Sequence, residues 1–292
     1  MQNQVIIEAP NNLGLKQLRD IEPGVRKLPA WLKRHGLYEV LKPQKVVQVK
    51  PPPYRMHLDE ASGVLNADTV IEYSKDLSNT ITTALDAGSF PWVIGGDCSI
   101  LIGCALALKS RGDFGLIYLD GHHDFVLPQQ SQTKAVAGMA LALVTGNGPD
   151  KLVNINSLKP YFNEYSVFAI GNRCLEPDYV QLITDSDINY YDLDALRAEG
   201  IQNIAKQFLN TATHLDGFWI HLDVDVLDNA LMPCVDSPQL GGLSYPELVS
   251  VFKILLSSPK VKGVNVTILD PDLDRNGLYT KGLIADFFMQ IS

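Results

Sequence analysis

The chain has 292 residues, 46% of them hydrophobic and 20% charged, which is enough apolar material for a full core and argues against a disordered chain. Its 24 Lys and Arg stand against 33 Asp and Glu for a formal charge of −9, and no basic cluster stands out, so no nucleic-acid partner is expected. The most apolar stretch, Trp92 to Leu108, is broken by Asp97 and falls short of the roughly 20 residues a bilayer requires, so no membrane partner is expected either.

The opening segment, Met1 to Pro10, carries Glu8 and lacks the basic and apolar blocks of a secretory signal. Cys98, Cys104, Cys174 and Cys234 show no framework spacing. A cytoplasmic protein with reduced thiols is the expectation.

Eight short runs rich in Val, Ile, Phe and Tyr punctuate the chain: Gln4 to Glu8, Lys45 to Val49, Phe90 to Ile94, Phe114 to Leu119, Ser166 to Ile170, Ile188 to Tyr191, Gly217 to Asp223 and Gly263 to Leu269. Most lack polar alternation, as strands buried on both faces do, and longer amphipathic segments separate them. The pattern predicts an α/β fold with a mostly parallel sheet and crossover helices. Between the second and third runs, Val70, Ile71, Leu77, Ile81, Ala84 and Leu85 mark one helix face, with Gly88 just past its end. Ser244-Tyr245-Pro246-Glu247 has capping-box spacing ahead of Leu248, Val251, Phe252 and Leu255. Pro51 to Pro53 reads as a stiff surface loop. No repeat or linker divides the chain, so residues 1–292 are expected to form one domain.

Three loops that follow predicted buried strands hold potential metal ligands, and ligands of open α/β sheets collect at the carboxyl ends of strands. They are Gly95-Gly96-Asp97-Cys98-Ser99, Asp120-Gly121-His122-His123-Asp124 and His221-Leu222-Asp223-Val224-Asp225. On extended backbone, residues two apart point to one face, so Asp120, His122 and Asp124 are expected to converge, as are Asp223 and Asp225. Carboxylates gathered inside a fold repel unless a cation neutralises them. Oxygen-rich ligands with one imidazole favour Mn²⁺ or a similar ion over structural zinc. Asp97 reads as a loop organiser, and the paired glycines as tight turns.

These motifs resemble the ureohydrolase superfamily of arginase, agmatinase and formiminoglutamase, whose signature runs G-G-D-H-S, D-A-H-x-D and S-x-D-x-D with a trailing proline and glycine. Here Gly95 to Ser99, Asp120 to Asp124, and His221 to Asp225 with Pro233 and Gly242 stand in that order. The resemblance implies a three-layer α/β/α fold with an eight-stranded, mostly parallel sheet. It also implies hydrolysis of a guanidinium or amidine carbon–nitrogen bond by a hydroxide held between two Mn²⁺ ions. Carried over, Asp120 and Asp223 bridge the ions, Cys98 and Asp124 complete one site, His122 and Asp225 complete the other, and Asp124 also orients the hydroxide. A homo-oligomer is implied by the resemblance alone.

The sequence departs from that family at several positions. Cys98 replaces a histidine ligand, which leaves open one ion or two and admits Zn²⁺ or Fe²⁺ beside Mn²⁺. Ala137 stands where arginases carry a proton-shuttling histidine, and Ile268 falls, without gaps, where they carry a glutamate that pairs with the guanidinium. Val126 and Ala135 occupy positions that hold the amino-acid end of arginine.

The expected activity is therefore metal-dependent hydrolysis of a non-peptide C–N bond in a small linear amidine or guanidine other than free arginine. The alternatives are a catalytically silent arginase-like protein that binds a metal or ligand, and a related metal-dependent amide hydrolase. His123 is the candidate replacement proton shuttle. His221 is expected to turn away from Asp223 as a core or supporting histidine, and His57 is expected in solvent.

Overall fold

In the computed structural model, which describes residues 3–292, all eight runs are strands of one parallel sheet. They are β1 (Asn3–Ala9), β2 (Lys45–Gln48), β3 (Ser89–Gly95), β4 (Phe114–Leu119), β5 (Val167–Ile170), β6 (Asn189–Tyr191), β7 (Gly217–Asp223) and β8 (Val261–Thr267). Their spatial order is β2-β1-β3-β8-β7-β4-β5-β6, with every pairing parallel. Strands β4 and β7 are buried along their whole length, as continuous apolar runs at the centre of a covered sheet should be. The edge strands β2 and β6 are exposed or half-buried.

Side chains alternate between two cores, one on each face of the sheet. Ile6, Trp92, Ile94, Ile117, Phe218 and Ile220 belong to one, and Val5, Ile7, Val93, Leu116, Tyr118 and Trp219 to the other. The second core is covered by α1 (Ala67–Asp86) and α2 (Ile100–Lys109). Val70, Leu77 and Ile81 of α1 are buried, and Gly88 turns the chain at φ +70°. Nearly every side chain of α2 is buried, which its uniformly apolar sequence requires. The first core is covered by α3 (Ile201–Ala212) and α4 (Tyr245–Leu256). The α4 capping box is complete, with Ser244 and Glu247 each satisfying the other's backbone N–H. The result is the expected three-layer α/β/α fold.

One boundary moves. Strand β8 begins at Val261 and stops at Thr267, two residues short of its expected end. Ile268 adopts φ +77°, a left-handed conformation that no strand can continue through.

Candidate metal centre

All three motif loops leave the carboxyl ends of central strands β3, β4 and β7. Cys98 follows β3, Asp120 to Asp124 follow β4, and Asp223 closes β7. Sharp turns gather them. Asp97 ties the first loop by accepting from the N–H groups of Gly14 (3.0 Å) and Ser99 (2.8 Å), so it organises the loop as expected. Gly96 is needed there, because a Cβ would fall 1.4 Å from the Asn11 carbonyl oxygen. The other two motifs do not converge by strand alternation. Asp120 Oδ1 accepts from the His122 N–H at 2.7 Å, and Asp223 Oδ1 from the Asp225 N–H at 2.8 Å. These side chains fold their own backbone into turns that bring residues two apart together.

Two ligand groups result. Cys98, Asp120, His221 and Asp223 each offer a donor atom, all within 4.8 Å of one another, and Asp120, His122 and Asp225 form a second group on the same criterion. Asp120 belongs to both. Cys98 Sγ lies 2.9 Å from Asp223 Oδ2 and 3.3 Å from Thr267 Oγ1. His122 Nδ1 lies 2.9 Å from Asp225 Oδ2, and its Nε2 lies 3.0 Å from Gln239 Nε2. Asp124 is in neither group: its Oδ2 accepts from the Tyr118 hydroxyl at 2.5 Å, and its backbone sits at φ +47°. It does line the cavity above, of about 490 Å³, together with Cys98, Asp120, His122, Asp223 and Asp225.

The electrostatics of this basin call for a cation. Burial and then the Asp225 charge push Asp120 up to about 6, and burial with neighbouring carboxylates drives Asp124 and Asp223 well above the usual range. Burial likewise raises the Cys98 thiol. Burial opposes charge on both His122 and Asp225, but their mutual attraction wins, lifting His122 to about 12 and holding Asp225 near 2. Asp120 Oδ2 and His221 Nε2 are buried without a hydrogen-bond partner among the described residues. Orphaned oxygen, a crowd of carboxylates, a thiol and an imidazole together fit a divalent metal site.

These directions set a pH dependence. A carboxyl with a raised pKa, such as Asp120, contributes stability that is full below its unfolded value of 3.8 and lost as pH rises through about 6. His122, raised from 6.5 to about 12, contributes stability lost progressively above pH 6.5. His123 and His221, lowered to about 4 and 3 chiefly by burial, act oppositely but only below pH 6.5. Chelator-treated protein is therefore expected to lose thermal stability between pH 6.5 and 8, and the rise in Tm on adding Mn²⁺ to grow over the same interval. A metal-induced rise that shrinks with pH would contradict this.

The structure corrects two histidine expectations. His123 is fully buried, its Nε2 faces the Tyr179 carbonyl oxygen at 2.6 Å and its Nδ1 accepts from the Phe125 N–H at 2.9 Å. With both nitrogens committed to backbone it holds the loop and has none free to shuttle protons. His221 does not turn away from Asp223, since residues two apart on β7 share a face, and its ring joins the first ligand group. His57 is exposed, as expected.

Other residues of the site had no motif to announce them. Arg173 donates from Nη2 to the Asp225 carbonyl (2.7 Å) and from Nη1 to that of Val226 (3.3 Å), bracing the third loop. Tyr118, Asn265 and Thr267 reach the basin through strand register, beside His221 and Asp223. A polar residue inside an otherwise apolar central strand, such as Asn265, was the one available signal.

The open parallel sheet and the polyacidic basin at its carboxyl edge define an α/β protein whose site fits a divalent metal. A profile described as Arginase family matches residues 19–292. The arginase of Staphylococcus aureus (strain MRSA252) is 29% identical over 97% of this chain and 96% of its own. The native Bacillus caldovelox arginase structure superimposes with a TM-score of 0.89 at 25% identity, covering 100% of this chain and 99% of that one. The formimidoylglutamase of Bacillus subtilis shares the fold, with a TM-score of 0.75 at 18% identity over 100% and 86% of the two chains. The chain belongs to the arginase family, within the ureohydrolase superfamily.

Proposed function

We propose that this protein is a metal-dependent hydrolase that cleaves a non-peptide C–N bond in a small linear amidine or guanidine whose reacting group is not anchored as arginine's is. The observation that carries this reading is the cavity itself, which Ile268, Ala137, Ala135 and Val126 line together with the ligand groups. An apolar Ile268 offers no partner to a guanidinium, and an unpaired buried charge costs several kcal/mol. Cys98, Asp120, Asp223, His122 and Asp225 would hold one or two divalent ions, with Asp120 common to both groups. Bound metal supplies charge neutralisation and a water acidic enough to act as a nucleophile near neutral pH.

Asp124, fixed by Tyr118 and facing the cavity, would orient that water by accepting its hydrogen bond. Neither Ala137 nor His123 offers a free group to carry the leaving amine's proton. The test is release of urea, amide or ammonia across a panel of guanidines and amidines, with Asp223→Ala as control. Turnover that this variant abolishes is expected. Metal binding with no cleavage of any member would favour the silent binding protein, a reading motivated by Ala137 and Ile268.

The thiol bears on metal identity. Thiolate is softer than imidazole and shifts preference from Mn²⁺ toward Zn²⁺ or Fe²⁺. Cys98→His is expected to raise the Mn²⁺ to Zn²⁺ ratio bound from an equimolar mixture, read by elemental mass spectrometry. An unchanged ratio would remove Cys98 from the ligand set.

A further inference from the structure

A ring nitrogen of His221, Cys98 Sγ and one oxygen each of Asp120 and Asp223 lie within 4.8 Å of one another, so distance alone would make His221 a metal ligand. The hydrogen bonds behind it say otherwise. The indole N–H of Trp219 can only donate, and it donates to Asn265 Oδ1 at 2.8 Å. That bond orients the Asn265 amide, because the reverse orientation would set its NH₂ against the indole N–H and leave both without an acceptor. Asn265 Nδ2 therefore faces His221 Nδ1, 2.7 Å away, and donates to it. A nitrogen that accepts carries no hydrogen, and an imidazolium would put two donors face to face. The ring is thus neutral, with its hydrogen on Nε2.

The rest of the setting holds this arrangement in place. Tyr118 stacks on His221 with centroids 4.3 Å apart and planes 5° from parallel. Gly263, opposite Trp219 on β8, makes room for the indole, since a Cβ there would approach it to 2.4 Å. His221 Nε2 is buried without a partner among the described residues, an expensive state for an N–H group unless an anion forms in front of it.

We propose that His221 is not a ligand but a positioning residue, whose Nε2–H donates to the Cys98 sulfur when that sulfur binds metal as a thiolate. This rests on the reading of Cys98 as a ligand. The Cys98 thiol now donates to Asp223 Oδ2 at 2.9 Å, and on metal binding its proton leaves for solvent. The thiolate then accepts from His221 and from the Thr267 hydroxyl, 3.3 Å from Sγ, once that hydroxyl turns from the Leu222 carbonyl to which it donates at 3.3 Å. Two donors disperse its charge beside Asp223 and hold it in one orientation, the role that partners of ligands play at metal sites. The cysteine at 98 and the histidine at 221, two departures from the family signature, thereby act as a pair.

The test is the tautomer of His221, read by long-range ¹H–¹⁵N correlation on uniformly labelled protein, metal-free and Zn²⁺-loaded, with His221→Gln to assign it among the six histidines. Hydrogen on Nε2 in both states is the expected result. Hydrogen on Nδ1 in the metal-free protein, or its transfer there on Zn²⁺ loading, overturns the proposal. Asn265→Asp keeps an acceptor for Trp219 and supplies a second for Nδ1, so it is expected to fold and to reverse the tautomer; an unreversed ring overturns the relay.

The sulfur is read separately through the thiolate-to-cobalt charge-transfer band of the Co²⁺ protein, which Cys98→Ser must abolish. His221→Phe is expected to move that band to lower energy and to weaken Co²⁺ binding by about 10-fold or more. An unmoved band overturns the donation. A wild-type protein that takes up neither Zn²⁺ nor Co²⁺ brings down the metal reading and the thiolate acceptor with it, while the metal-free spectrum still reports whether the relay holds.

Discussion

Replacing Asp120 by Asn is expected to stabilise the metal-free protein while abolishing its response to metal. Asp120 is the one residue common to both ligand groups, and its Oδ2 has no hydrogen-bond partner among the described residues. Its pKa of about 6 against an ordinary 3.8 means that ionisation at neutral pH costs the fold up to about 3 kcal/mol. An amide relieves that cost, keeps an oxygen for the His122 N–H, and cannot bridge two cations. The expected result is a metal-free Tm a few degrees above wild type, no further rise with Mn²⁺ or Zn²⁺, less than one ion retained per chain, and loss of turnover by about 10³-fold or more. A variant that still gained stability from metal would show that Asp120 is not a ligand.

Ile268→Glu is expected to confer or strengthen activity on free arginine. Ile268 lines the cavity, is 5% exposed, and is pinned by its N–H to the Gly96 carbonyl at 2.8 Å. A β-branched residue is poorly suited to φ +77°, at a cost of about 1–2 kcal/mol. Glutamate fits that backbone better and presents a carboxylate where a guanidinium needs one. The gain in kcat/KM on arginine is expected to be at least about 10-fold, the scale of a charge-assisted pair made against one absent. Activity on an amidine with an apolar tail should fall. The variant should be less stable without ligand, since its carboxylate enters an already acidic basin, and should recover with arginine present. Unchanged discrimination between the two substrates would place specificity elsewhere in the cavity.

What could be read from the chain and what could not divide along a physical line. The eight strands were legible because continuous apolar runs have few other homes in an α/β protein, and the capping box of α4 because its geometry is local. The ligand loops were legible because their residue types make sense only together. The neighbours of those ligands were not. Asn265 and Thr267 meet His221 and Asp223 through the register of β8 against β7, a relation between strands about 44 residues apart that no local pattern records.

His123 is silenced by the carbonyl of Tyr179, 56 positions away. Ile268 breaks β8 without the Gly or Asn that usually signals a left-handed turn. The orientation of His221 was within reach of strand periodicity, since positions 221 and 223 share a face by simple counting.

The strand order also bears on when the site can come into being. Strand β8 is the last made and lies between β3 and β7. Without it the sheet is two fragments, one carrying Cys98 and the other carrying Asp120, His122, Asp223 and Asp225. Chains leave the ribosome from the N-terminus at about 5–20 residues per second. A nascent chain therefore holds both halves of the basin for seconds without the strand that joins them. Closing the sheet and completing the basin are in this sense one event, made by β8.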